Sequence, residues 1–193
     1  MNRIEKLSAE TSELFRELDL AIEQFQNQTG IHCKFGCGKC CLKPDIEAAV
    51  LEFIPFALQV YREASGTRWL EKISSGGSIC VILDEQQPGQ GHCSQYLYRG
   101  MICRLFGYSA RRNKYEKKEL VTCQIIKTEL SEQYNRASDG INSALEVPMI
   151  TDYYARLKSI DPDLGSRFMP VNAAIKSAIE LVETFMAYSQ QEQ

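Results

Sequence analysis

Residues 32–47 read "HCKFGCGKCCLKPDIE" and place four cysteines, Cys33, Cys37, Cys40 and Cys41, within nine positions, two of them adjacent. Gly36 and Gly38 flank Cys37, so the loop can take positive φ angles and bring backbone N–H groups close to sulfur. Two thiolates on so short a loop grip one soft or borderline metal ion, because the chain curls to point both inward; Cys37-x-x-Cys40 has that spacing. Cys33 joins the same loop. Cys41 is expected to diverge from Cys40, since successive side chains point apart, which suggests either two metal centres or one ligand with a supporting or redox thiol beside it. Lys34, Lys39 and Lys43 either offset thiolate charge or are ordinary exposed loop lysines.

Regular structure is expected on both sides of this loop. Upstream, Ile4, Leu7, Thr11, Leu14, Leu18, Ala21 and Phe25 keep a 3-4 spacing, predicting an amphipathic helix over 2–28 stopped by Thr29-Gly30. Downstream, Pro44-Asp45 reads as a helix start, with Ile46, Ala49, Val50, Phe53 and Ile54 continuing at helical period. Pro55 breaks or kinks that helix and starts another to about Ala64, and "TRWLEKI" (67–73) is a short helix. From 78 to 123, short apolar runs alternate with Gly, Pro and Asn turns, predicting irregular structure with two to four short strands. Helical periodicity returns over 124–136, 148–160 and 170–188, the last with Val171, Ile175, Ile179, Val182 and Met186 on one face. The expected fold class is mainly α, a helical shell around a loop-rich, cysteine-bearing centre with a few short strands. It is read as a single domain over 1–193: an N-terminal helix (1–30), a cysteine-cluster segment (31–125) and C-terminal helices (126–193).

A chain of 193 residues buries a real core without covalent staples. With 22 Lys and Arg against 25 Asp and Glu, it has no general attraction for nucleic acid or anionic lipid, and neither is expected as a partner. The charged N-terminal stretch lacks a signal-peptide pattern, and the most apolar run, "AAVLEFIPFALQVY", is too short to span a bilayer, so a cytoplasmic location is expected. In a reducing compartment, clustered thiols bind metal or do redox chemistry rather than form a disulfide framework.

The other four cysteines, Cys80, Cys93, Cys103 and Cys123, complete a set of eight confined to residues 33–123. With "CVILDEQQPGQGHCSQYLYRGMICRLFGY" following the first cluster, the pattern resembles the YkgJ-type cysteine-cluster family, described as zinc- or iron-chelating with a CxxCxxCC signature. The resemblance covers about residues 31–125 and aligns Cys33, Cys37, Cys40 and Cys41 with the first cluster, and Cys80 and Leu83 with the next segment. Cys93, Tyr96, Arg99, Cys103, Arg104 and Phe106 match the last motif, with Cys123 as the trailing thiol and Tyr98 as a second candidate for the tyrosine. Gly100 and Gly107 stand where the family usually has proline. The resemblance implies a metal-binding, iron-sulfur domain, and one similar branch, the flagellin lysine N-methylases, acts with S-adenosylmethionine.

All eight cysteines are therefore candidate metal ligands, for a 4Fe-4S cluster or alternatively zinc. Three close cysteines with further single ones suit a cluster better than the paired knuckles of structural zinc. Tyr96, Arg99 and Arg104 are candidate cofactor-binding residues: the arginines either hydrogen-bond cluster sulfurs or an anionic substrate, or cap carbonyls and pair with carboxylates such as Glu47. His32 and His92, each beside a cysteine, fall on the diverging side of the chain. "RRNKYEKK" (111–118) reads as a solvated hairpin tip around Asn113. Cys33-x-x-x-Cys37-x-x-Cys40 also has the spacing of radical S-adenosylmethionine enzymes, without their alternating strands and helices. Three functions stand: a cluster protein with a structural, redox or sensing role, an S-adenosylmethionine-dependent modifying enzyme, and a zinc-stabilised interaction module with a protein or small-molecule partner.

Overall fold

The computed structural model describes residues 1–34, 36–87 and 90–191; Pro88 and Gly89, read as a turn, lie outside the described residues. In chain order the elements are α1 (Arg3–Thr29), β1 (Glu47–Ala49), α2 (Ile54–Arg62), α3 (Gly66–Ser75), β2 (Leu83–Gln87), β3 (Gln90–Cys93) and α4 (Met101–Leu105). They continue with β4 (Ser109–Arg112), β5 (Lys118–Val121), α5 (Gln124–Glu129), α6 (Ser131–Gly140), α7 (Ile150–Ile160), β6 (Phe168–Pro170) and α8 (Val171–Gln191). The fold is mainly α. Its sheets, among the described residues, are three antiparallel pairs: β1 with β6, β2 with β3, and β4 with β5. No described helix is long and apolar enough to cross a membrane. The chain divides into two compact units, one of Met1–Glu13, Gly36–Gly100 and Leu157–Gln193, the other of Leu14–Phe35 and Met101–Arg156.

In the first unit, α2 packs against α8. Val171, Ala174, Ile175, Ala178, Ile179 and Val182 form the buried face of α8, and the two alanines let the helices approach closely. Each fully buried valine, isoleucine or phenylalanine here contributes roughly 1.5–3 kcal/mol. The stripe expected for this helix is found, with Met186 only half-buried.

The helix expected over 46–54 is absent. Residues 47–49 form strand β1 instead, followed by a 3-10 turn over Val50–Phe53. Ala48 to Ile54, Glu52 included, are buried on every side, and a segment buried all round carries no period that separates strand from helix. The choice is made by distant partners: β1 pairs with β6, the Val50 N–H donates to Arg167 O at 3.3 Å, and the Leu51 N–H donates to Leu164 O at 3.2 Å. The buried Glu52 carboxylate takes the Ala49 N–H at 2.8 Å. Pro55 then opens α2 from its first turn, where its missing N–H costs nothing.

In the second unit, Leu14, Phe15, Leu18, Ile22 and Phe25 of α1 are buried, with Ile22 taking the place in the core expected for Ala21. The β4–β5 hairpin has the tip read from the sequence. Asn113 Oδ1 accepts the N–H groups of Tyr115 and Lys117 at 2.8 and 3.1 Å, and Glu116 takes φ +62. The helix expected over 124–136 is two helices, because Leu130, at φ −118 and ψ 41, leaves the helical region while the i→i−4 bonds continue on either side of it.

Candidate metal centre

The expected ligands divide by unit: Cys37, Cys40, Cys41, Cys80 and Cys93 belong to the first, Cys33, Cys103 and Cys123 to the second. None of the eight is in a disulfide; Cys33 and Cys40 are exposed and the other six half-buried.

In the first unit the cysteine loop turns at Gly36 (φ +68) and Gly38 (φ +55), then winds into a 3-10 turn over Lys39–Leu42. It lies against β3. The Gly91 N–H donates to Gly36 O at 3.2 Å, and a Cβ at position 38 would stand 2.7 Å from Gly91 O, so only glycine fits there. Strand β3 ends at Cys93, paired with Leu83, whose N–H in turn closes on Cys80 O at 3.0 Å. The loop carrying Cys37, Cys40 and Cys41 is thereby brought to the hairpin strand carrying Cys93, with Cys80 beside it.

The expectation that Cys40 and Cys41 diverge is corrected. A 3-10 turn places successive residues about 120° apart rather than on opposite faces, and the two thiols hydrogen-bond to each other. That bond, with the backbone N–H groups of Cys40 and Cys41 and the Arg99 guanidinium, holds the Cys40 thiol down to about 6 against the opposing effect of burial. Burial pushes the Cys80 thiol up, and Cys93 adds to the rise, while the backbone amides of Ile82 and Leu83 pull the other way.

Arg99 lies over the exposed Tyr96 ring, 4.1 Å from its centroid, as well as within electrostatic reach of Cys40. The Tyr98 ring packs on Phe56, 6.1 Å between centroids, so Tyr96 is the tyrosine that Arg99 meets. His92, half-exposed and opposite Asp84 on β3, keeps 3.9 Å from that carboxylate; it alternates with Cys93 across the strand. Lys34, Lys39 and Lys43 are exposed. Gly100, where the related motif has proline, is explained by its surroundings: a Cβ there would stand 2.8 Å from Glu52 Oε2 and 3.1 Å from the Phe53 ring.

In the second unit the Cys33 N–H donates to the Tyr108 hydroxyl at 2.7 Å, a tyrosine that the sequence did not single out although "RLFGY" ends with it. Cys123 caps α5, its sulfur accepting the Ile126 N–H at 3.5 Å. Cys103 lies within α4. Arg104 is 4% exposed, paired with the Asp19 carboxylate and stacked 4.6 Å from the Phe15 ring centroid. The carboxylate it meets is Asp19. Gly107 has φ +104 and donates its N–H to Val121 O at 2.8 Å, two things proline cannot do.

Among the described residues no three His, Cys, Asp or Glu side chains stand together at metal-ligating spacing. In type and number the thiols of the first unit suit zinc or an iron-sulfur cluster, each of which takes four thiolates. Closing them around such a group requires these thiols to come nearer to one another than they stand here, as metal binding coupled to local folding entails.

Residues 32–124 match the CxxCxxCC family model, described as "Putative zinc- or iron-chelating domain". No curated protein and no solved structure matches the chain.

Proposed function

We propose, from the match of residues 32–124 to this family model, that the first unit carries one metal centre of four thiolates drawn from Cys37, Cys40, Cys41, Cys80 and Cys93. The group it holds is a 4Fe-4S cluster with a structural, redox or sensing role. The observation that supports this reading is the docking of the Gly36–Gly38 loop on β3, which gathers cysteines from three separate stretches of sequence. A cluster is favoured over zinc because the chain offers one Cys-x-x-Cys pair and then single cysteines, where structural zinc sites present two such pairs. When bound, a cluster supplies a cross-link between loop and hairpin and a one-electron couple. Arg99 offsets part of the negative charge that gathered thiolates bring, and Gly38 and Gly91 let loop and strand approach. Cys33, Cys103 and Cys123 belong to the second unit.

The test is the iron, zinc and acid-labile sulfide content of protein purified without oxygen, with its visible spectrum. About four iron and four sulfide per chain support one cluster. Zinc without sulfide transfers the same thiolates to a structural site, about eight iron per chain overturns the single centre, and no bound metal overturns the reading altogether.

A further inference from the structure

We propose that Asn172, 48 residues beyond the end of the family segment, is a positioning residue that aims Cys80 into the metal centre. The inference rests on the metal-binding reading above. Cys80 follows an exposed stretch, Gly76 to Ile79, in which a Cβ on Gly77 would touch nothing within 4 Å. Packing does not hold this stretch, and its glycines leave the backbone many conformations.

Asn172 supplies what packing does not. Its Nδ2 donates to Ile79 O at 2.7 Å and to Gly77 O at 3.2 Å, and its Oδ1 accepts the Val81 N–H at 2.8 Å. The orientation of the carboxamide is fixed by its partners, since two are carbonyls and one is an N–H. Ile79 O and Val81 N belong to the two peptide groups on either side of Cys80. Holding both planes fixes φ and ψ of Cys80, and with them the direction of its Cα–Cβ bond. The Leu83 N–H to Cys80 O bond closes the turn on its other side.

The anchor itself is rigid. Asn172 stands in the first turn of α8, between buried Val171 and buried Ala174, and the Val171 N–H is bonded to Ile46 O at 2.8 Å. Groups that orient a metal ligand without touching the metal change affinity by about 10–100-fold when removed.

The experiment titrates the metal-free protein with cobalt(II), whose thiolate bands report sulfur ligation, against a competing chelator. In parallel, the alkylation rate of each cysteine in the metal-free chain is followed by mass spectrometry. Asn172→Leu removes all three bonds; Asn172→Asp keeps an acceptor for the Val81 N–H but sets a carboxylate oxygen against the Ile79 and Gly77 carbonyls. Leu164→Ala, a buried site of the same unit away from the loop, controls for lost stability. Expected are cobalt affinity down about 10–100-fold in Asn172→Leu, a loss at least as large in Asn172→Asp, and faster alkylation of Cys80 with Cys93 unchanged. Leu164→Ala changes neither. Unaltered cobalt affinity in Asn172→Leu overturns the inference, as does an equal loss in Leu164→Ala. If the unsubstituted protein binds no cobalt, Cys80 alkylation alone decides: faster in Asn172→Leu supports the clamp, unchanged overturns it, and the metal reading stands or falls separately on the iron, zinc and sulfide content.

Discussion

Two glycines of the cysteine loop, three-dimensionally different, separate the cost of backbone strain from the cost of contact with β3. Gly36 has φ +68 and open space where a Cβ would be; Gly38 has φ +55 and Gly91 O at 2.7 Å from that point, with Gly91 C at 3.0 Å. An alanine in the left-handed region costs about 1–2 kcal/mol, so Gly36→Ala is expected to weaken metal binding roughly 5–30-fold. Gly38→Ala carries the same strain and an overpacking cost of about 1–3 kcal/mol, because the atom it strikes is backbone and cannot rotate away. That adds roughly another 5–150-fold. The strain falls on the docked loop, so a metal centre that uses this docking to bring the loop thiols to Cys93 bears it in its affinity. Chelator competition with cobalt(II) on both variants measures the difference, with far-ultraviolet circular dichroism to verify that α2 and α8 are intact. Equal affinities for the two variants would refute the docking of the loop on β3 as a requirement of the site.

Cys37→Ser and Cys40→Ser are each expected to lose bound metal, whereas His92→Ala, a half-exposed residue 3.9 Å from Asp84, keeps it; metal analysis of the purified variants decides, and full retention in Cys37→Ser sinks the loop as ligand. Arg104→Lys keeps the charge but loses the planar contact with Phe15, and should cost about 1–2 kcal/mol in urea denaturation with metal content unchanged; lost metal at unchanged stability would make Arg104 a cofactor residue. Burial raises the Asp161 carboxyl, but the Leu164 N–H and Arg3 outweigh it and bring the group below its ordinary 3.8. Its stabilisation is therefore complete above that pH and lost as pH falls through the lower folded value. Asp161→Asn should cost more at pH 7 than at pH 3, and equal costs in denaturant titrations at the two pH values would contradict the assignment.

The long helices were legible because burial on one face leaves a period. Residues 4 to 25 repeat their apolar positions every three or four residues over the whole of α1, and Val171 to Val182 do the same in α8. Strand β1 was not legible, since its partner is Pro170 to Phe168, some 120 residues away, and three residues are too few to show an alternation of their own. The adjacency of Cys40 and Cys41 was read with the alternation of an extended chain, whereas the left-handed Gly38 starts a 3-10 turn that brings the two thiols together. Cysteine types and order gave the candidate ligands directly. The groups that hold them were hidden, because Tyr108 and Asn172 act on backbone atoms of residues 75 and 91 to 95 positions away.

The position of Asn172, outside the cysteine segment, limits what that segment does alone. Within the first unit, Gly36–Gly100 packs against Leu157–Gln193, so the strand that leads out of the cysteine loop is completed by β6, and the helix that follows is covered by α8. Val50, Leu51, Phe53, Ile54, Phe56 and Val60 are each at most 1% exposed. Uncovering half of that burial costs about 5–9 kcal/mol, comparable to the whole stability of an ordinary domain, about 5–15 kcal/mol. A segment carrying all eight cysteines but lacking α8 would have the ligands without the core that fixes β1, α2 and the turn at Cys80. Asn172 of α8 holds the backbone on both sides of Cys80, so the C-terminal helix fixes where that thiol stands.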